Sequence, residues 1–169
     1  CGKAVDVAWL AGCGHQVTGL DVAEQALVAL FEDNGLTYER DGPALRGDKI
    51  TAWAGDFFEL TARDDFGPFD AVYDRAAIVA IDPSDRERYV QSILHNLTPD
   101  GTIFLIGFSY DTSKMDGPPY CVDRAEVERL FHECTIECVA DEDVLEANPK
   151  FKTHGLEALR ESAYVIRRR

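Results

Sequence analysis

Three carboxylates and one guanidinium stand where the sequence could do chemistry: Asp21, Asp56, Asp74 and Arg75. Asp21 closes the short β-branched run His15 to Leu20 (HQVTGL) and follows Gly2 by nineteen residues. A carboxylate at a strand end, one helix after a glycine turn, offers two oxygens in one plane and can accept both hydroxyl protons of a ribose. The same residue could cap a helix starting at Val22, with Glu24 in the capping-box position, and spacing alone supports the two assignments equally. Asp56-Phe57 pairs an acceptor for an exocyclic amine with a flat apolar wall, which is what an adenine requires. Taken alone that pair reads better as a cap and a core residue; taken with Asp21 it points to a nucleoside. Arg75 beside Asp74 reads first as a structural ion pair.

These residues need a scaffold that brings strand ends together. Ala4, Val5, Ala8 and Trp9 suit one apolar helix face ended by Gly12 and Gly14, and Ala23, Ala26, Leu27, Leu30 and Phe31 suit a second, stopped at Asn34-Gly35. Thr37 to Asp48 is polar, carries Gly42-Pro43 and Gly47, and reads as a loop with at most an edge strand. Strands are expected at Ile50–Ala54 and Phe69–Tyr73, then a helix opened by Pro83-Ser84 and left through a turn at Pro99-Asp100-Gly101. The continuous apolar run Thr102 to Phe108 predicts a mid-sheet strand covered on both faces. A Gly/Pro-rich loop (Ser109 to Tyr120), a helix over Asp123–His132 and strands near Thr135–Ala140 and Ala163–Ile166 complete the chain. Alternating strands and helices predict a mainly parallel α/β sheet, and the two late strands an antiparallel edge hairpin. In such sheets ligands sit beyond the carboxyl ends of the strands, where Asp21, Asp56 and Asp74 stand.

A length of 169 residues fits one domain, residues 1–169. The 31 acidic against 17 basic side chains give a net charge of −14, which repels phosphate backbones and anionic headgroups and argues against nucleic-acid or membrane partners. No apolar run has the length of a membrane span and no basic-then-apolar leader opens the chain, so a cytoplasmic address and a monomer are expected. Five scattered cysteines read as reduced thiols; Cys134 and Cys138 have no matching second pair, and no metal site is expected.

A longer pattern then adds to these readings. Cys1-Gly2-Lys3, the run Gly55 to Asp64 (GDFFELTARD), Tyr73-Asp74-Arg75-Ala76-Ala77, Asp85 to Val90 (DRERYV), Tyr110-Asp111 and Gly117-Pro118-Pro119-Tyr120 occur in order along the chain, which thereby resembles the thiopurine S-methyltransferase family, its bacterial members above all. The resemblance implies a class I, Rossmann-like methyltransferase fold of seven strands with an antiparallel final pair, and S-adenosylmethionine as methyl donor. It implies methyl transfer to the sulfur of thiopurines or other aromatic and heterocyclic thiols, or to selenium and tellurium compounds, in a setting of xenobiotic detoxification. By position, Gly2 and Asp21 would hold the cofactor, Asp21 at the ribose where the family more often has Glu. Asp56 and Phe57 would bracket the adenine. Arg75 would serve both as the catalytic, acceptor-facing residue and beside the cofactor, with Pro118, Pro119 and Lys150 completing the acceptor site. The family also carries a helix and a first sheet strand upstream of the Cys-Gly-Lys turn. The chain opens without them and without Met, so an incomplete copy is expected, with two strands lacking a partner.

The reaction so implied is an in-line displacement by a thiolate, needing alignment and exclusion of water more than acid–base groups. Three other readings stand beside it: a nucleotide-dependent oxidoreductase, for which a full Gly-x-Gly-x-x-Gly turn is lacking; a halide or thiocyanate methyltransferase; and a truncated, inactive relic.

Overall fold

The computed structural model describes residues 1–169 and divides into two compact units, Cys1–Phe66 and Gly67–Arg169. In the first, β-branched and apolar stretches become strands where Gly or Asp ends them, and apolar residues at helical spacing become α2. Its elements are α1 (Val5–Gly12), β1 (Val17–Asp21), α2 (Glu24–Asp33), β2 (Glu39–Asp41), β3 (Ala44–Arg46), β4 (Ile50–Ala54) and α3 (Phe57–Leu60). The sheet order is β1-β4-β3-β2. β1 and β4 run parallel from Val17 opposite Ile50 to Asp21 opposite Ala54, so their carboxyl ends finish side by side. Leu27, Leu30 and Phe31 of α2 bury fully against Val7, Leu45, Ile50 and Ala52.

Two expectations fail in this unit. The predicted apolar face of α1 is not the buried one: Val7 is buried, whereas Val5 is 73% and Trp9 67% exposed. One helical turn offers two faces, and small residues such as Ala4 and Ala8 do not decide between them. The polar stretch predicted as a loop forms the β2–β3 hairpin, with β3 antiparallel to β4. Ala44 and Leu45 carry it by burying completely, while an Arg46–Asp41 pair at 2.8 Å closes its exposed side.

The second unit holds β5 (Phe69–Arg75), short 3-10 turns at Ile78–Ala80 and Pro83–Asp85, α4 (Arg86–His95), β6 (Leu97–Ser109), α5 (Arg124–Leu130), β7 (Cys134–Asp143), a 3-10 segment Pro149–His154, and β8 (Arg160–Arg168). Strand order is β5-β6-β8-β7. β5 and β6, joined through α4, pair in parallel; β6–β8 and β7–β8 are antiparallel, giving the expected final hairpin. Parallel pairing is thus confined to β1–β4 and β5–β6. The turn predicted at Pro99–Gly101 lies within the long β6. That strand lies between β5 and β8 as expected, but it is not covered on both faces: Ile103 and Leu105 are buried, whereas Phe104 and its cross-strand neighbour Tyr73 are each 45% exposed. β1 and β5 each form an edge of their own sheet. No helix is long and apolar enough to cross a membrane.

Candidate active site

In the first unit the carboxyl ends of β1 and β4 gather four predicted residues. Gly2 adopts φ +55°, a left-handed conformation that favours glycine, and its N–H donates to Asp21 Oδ2 at 2.7 Å. A Cβ at Gly2 would lie 3.9 Å from that oxygen, so the turn leaves the carboxylate uncrowded. The Cys1 nitrogen also donates to Asp21 Oδ2, at 3.1 Å, and Ala23 N–H donates to Oδ1 at 2.9 Å. Burial alone would raise the Asp21 pKa; hydrogen bonds, those from the Ala23 and Gly2 N–H groups among them, outweigh it and hold the carboxyl below the usual aspartate value. Asp21 is therefore ionised at neutral pH. The helix-cap assignment for Asp21 does not hold in the form expected: α2 starts at Glu24, its cap residue is Ala23 without a side-chain bond, and Glu24 pairs with Arg40 instead of closing a capping box.

Gly55 N–H donates to the Asp21 carbonyl at 3.0 Å, fixing the next strand end against the first. Asp56 caps α3, accepting from Phe58 N–H at 2.8 Å and Glu59 N–H at 3.2 Å. Both bonds fall on Oδ1, so Oδ2 keeps its acceptor capacity. Phe57 follows at the first helical position, half-buried, edge-on to Phe58 with ring centroids 5.4 Å apart. The cap predicted for Asp56 is thus present, and it leaves an oxygen for a ligand as well.

In the second unit Arg75 is the exposed last residue of β5. The Asp74–Arg75 pair weighed from the sequence is absent from Asp74's hydrogen bonds. Asp74, 2% exposed, accepts from Ala77 N–H at 3.2 Å, Ile78 N–H at 3.0 Å and the Tyr89 hydroxyl at 2.8 Å. Burial pushes its carboxyl above the usual range, and those three donors offset part of the rise. Burial, then the neighbouring Asp74 carboxyl, pushes the Tyr89 phenol well above the ordinary tyrosine value. Between Arg75 and Ala77 the chain passes through Ala76 at φ +66°.

Pro118 is exposed and Pro119 half-buried; the Pro119 carbonyl accepts the Tyr110 hydroxyl at 2.6 Å, and Tyr120 N–H donates to the Val79 carbonyl at 2.6 Å. Lys150 is exposed on the Pro149–His154 segment with Nζ 4.8 Å from the Phe151 ring. Phe151 packs with Met115, Leu145, Leu156 and Leu159. An open cleft of about 480 Å³ in this unit is lined by Tyr110, Asp111, Lys114, Cys121 and Arg160 among others, but by none of Arg75, Pro118, Pro119 or Lys150. Sequence reasoning missed Tyr89 and Tyr110 as supports of these segments, although both lie in the motif stretches.

Comparison with known proteins decides the family. The thiopurine S-methyltransferase (TPMT) family model matches residues 1–169. The chain belongs to the thiopurine S-methyltransferase family. A thiopurine S-methyltransferase of Pseudomonas fluorescens (strain Pf0-1) is 41% identical over 99% of the chain and 78% of its own length. That of Equus caballus is 37% identical over 98% of the chain and 71% of its own. Among solved structures, a Methanosarcina mazei S-adenosylmethionine-dependent methyltransferase superposes with TM-score 0.70 at 14% identity, covering 99% of this chain and 89% of that one. The Burkholderia thailandensis 1,6-didemethyltoxoflavin-N1-methyltransferase, solved with S-adenosylhomocysteine, superposes with TM-score 0.59 at 22% identity, covering 96% and 67%. These likenesses establish the class I methyltransferase fold. Membership in the thiopurine S-methyltransferase family disfavours the oxidoreductase and the halide or thiocyanate readings, and the residues at the β1 and β4 ends suit its cofactor. One ionised carboxylate is pre-aligned beside an unobstructed glycine turn, and one carboxylate oxygen and one aromatic ring stand at the next strand end.

Proposed function

We propose that the chain transfers the methyl group of S-adenosylmethionine to the sulfur of a thiopurine or another aromatic or heterocyclic thiol. The observation that carries this reading is the pre-aligned Asp21 carboxylate beside the Gly2 turn, in a chain of the thiopurine S-methyltransferase family. Asp21 takes the ribose hydroxyls through the acceptor capacity its backbone donors leave, and Asp56 Oδ2 with Phe57 takes the adenine. When bound, the cofactor supplies an electrophilic methyl group on a positively charged sulfur.

Arg75 favours the anionic form of the thiol and orients it. Pro118 and Pro119 give the acceptor a rigid apolar wall, and Lys150 adds positive charge at the acceptor side. No residue needs to move a proton in the transfer, because aromatic thiols ionise readily; the side chains contribute alignment and exclusion of water. Selenium and tellurium nucleophiles fit the same demands. Residues 1–169 form one methyltransferase domain, monomeric and cytoplasmic. The charge of −14 suits a small-molecule acceptor in preference to nucleic acid.

Separate substitutions test the two halves of the assignment. Asp21→Ala should weaken S-adenosylmethionine binding about ten- to a hundredfold by calorimetry, the worth of hydrogen bonds to a charged group. Arg75→Ala should raise the thiopurine KM by a larger factor than it weakens cofactor binding. Unaltered cofactor affinity in Asp21→Ala would remove the ribose assignment.

A further inference from the structure

Arg75 ends β5 and the Pro118–Pro119 wall lies in an irregular loop, yet the turn after Arg75 and the residue after Pro119 are tied to the same face of one helix. Tyr89 and Arg86 lie three residues apart on α4, hence on one side of it. Tyr89 is 4% exposed and donates its hydroxyl to Asp74 at 2.8 Å. Through its other oxygen Asp74 grips the N–H groups of Ala77 and Ile78, the two residues after Ala76. Ala76 holds a left-handed φ of +66°, a conformation that persists in a non-glycine residue only where its surroundings impose it. Here the two N–H groups that follow it are held by the buried Asp74 carboxylate. The turn it fixes starts at Arg75 and continues into Ile78–Ala80, whose Val79 carbonyl receives the Tyr120 N–H at 2.6 Å. Arg86, 3% exposed, sits 6.0 Å from the centre of the Tyr120 ring and pairs with Glu126 at 3.2 Å. One helix face therefore holds the turn after Arg75 with Tyr89 and the residue after Pro119 with Arg86.

We infer that Tyr89 is a positioning residue for the thiol acceptor: through Asp74 it sets the turn that carries Arg75 and, through the Val79 carbonyl, the Pro118–Pro119–Tyr120 segment. The inference rests on the proposed function. A carboxyl that served only to cap a turn would need its two N–H donors and no buried phenol. The hydroxyl instead fixes the other oxygen, so the carboxylate plane, and with it the direction in which β5 delivers Arg75, is held from two sides. The cofactor residues Gly2, Asp21, Asp56 and Phe57 lie in other elements of the chain.

The test is Tyr89→Phe in the full chain, which keeps the buried ring and removes only the hydroxyl. We expect the KM for a thiopurine to rise about five- to tenfold, with kcat at saturating acceptor within twofold and the S-adenosylmethionine Kd, by calorimetry, unchanged. Asp74→Asn, which retains one oxygen for the two amides, should raise KM similarly, and the double variant should be no worse than the worse single one, as expected of residues acting through one another. A Tyr89→Phe protein with a lowered melting temperature but unchanged KM would make the pair a structural support only and overturn the proposal. Additive effects of the two substitutions would overturn the route through Asp74. A wild-type chain that binds the cofactor but methylates no thiopurine would overturn the functional reading and the positioning role together, an outcome distinct from the failure of the variant alone.

Discussion

Ala76 is the only non-glycine residue with a positive φ, and it follows directly on Arg75. A left-handed alanine costs about 1–2 kcal/mol, while a glycine there would lose more backbone freedom on folding. The balance favours glycine, so Ala76→Gly should stabilise the protein by roughly 0.5–1 kcal/mol in urea unfolding; a destabilised variant would mean the turn is not strained. Asp21 shows the opposite arrangement, an ordinary residue made specific by three backbone donors. At this scale the site was half legible. Asp21, Asp56 and Phe57 could be picked out because each sits at a strand end, where the sequence shows an abrupt change from apolar to polar. Asp74 could not be assigned, since a buried carboxyl bonded to Tyr89 and a surface carboxyl paired with Arg75 present the same dipeptide.

The elements that hold these residues follow from periodicity where burial is one-sided. α2 is the clearest case: Leu27, Leu30 and Phe31 recur at helical spacing and are all fully buried. Phe31 also meets Tyr38 with ring centroids 5.0 Å apart. Phe31→Ala should therefore cost about 3–5 kcal/mol of stability in chemical denaturation, and a cost below about 1 kcal/mol would show that α2 does not anchor the β1–β4 pair. β4 and the start of β5 fall where the sequence placed them, and the late strands form the expected hairpin, because β-branched runs bounded by Gly, Pro or Asp leave little choice. The β2–β3 hairpin was hidden because Glu39-Arg40-Asp41 is wholly exposed and charged; its pairing comes from the neighbouring β4, not from its own pattern. The face of α1 was misjudged for a related reason: Val5 and Trp9 look like a core stripe but lie in solvent, while Val7, with Ala11 beside it, makes the contact.

For the whole molecule, the −14 charge, the class I fold and the family match over residues 1–169 bear on one question, what the chain does with a bound methyl donor. The charge is spread over solvated carboxylates and leaves Asp21 and Asp74 as the acids with defined partners on β1 and β5. The cleft in the second unit is lined by other side chains than Arg75 and the prolines. The most direct measurement is incubation of the chain with S-adenosylmethionine labelled in its methyl group and a thiopurine, followed by chromatography of the products. Labelled S-methylthiopurine and S-adenosylhomocysteine should form in equal amounts, at a rate lowered in Asp21→Ala at limiting cofactor and in Arg75→Ala at limiting thiol. A chain that binds the labelled cofactor yet leaves the thiopurine unmethylated at every acceptor concentration would contradict the account.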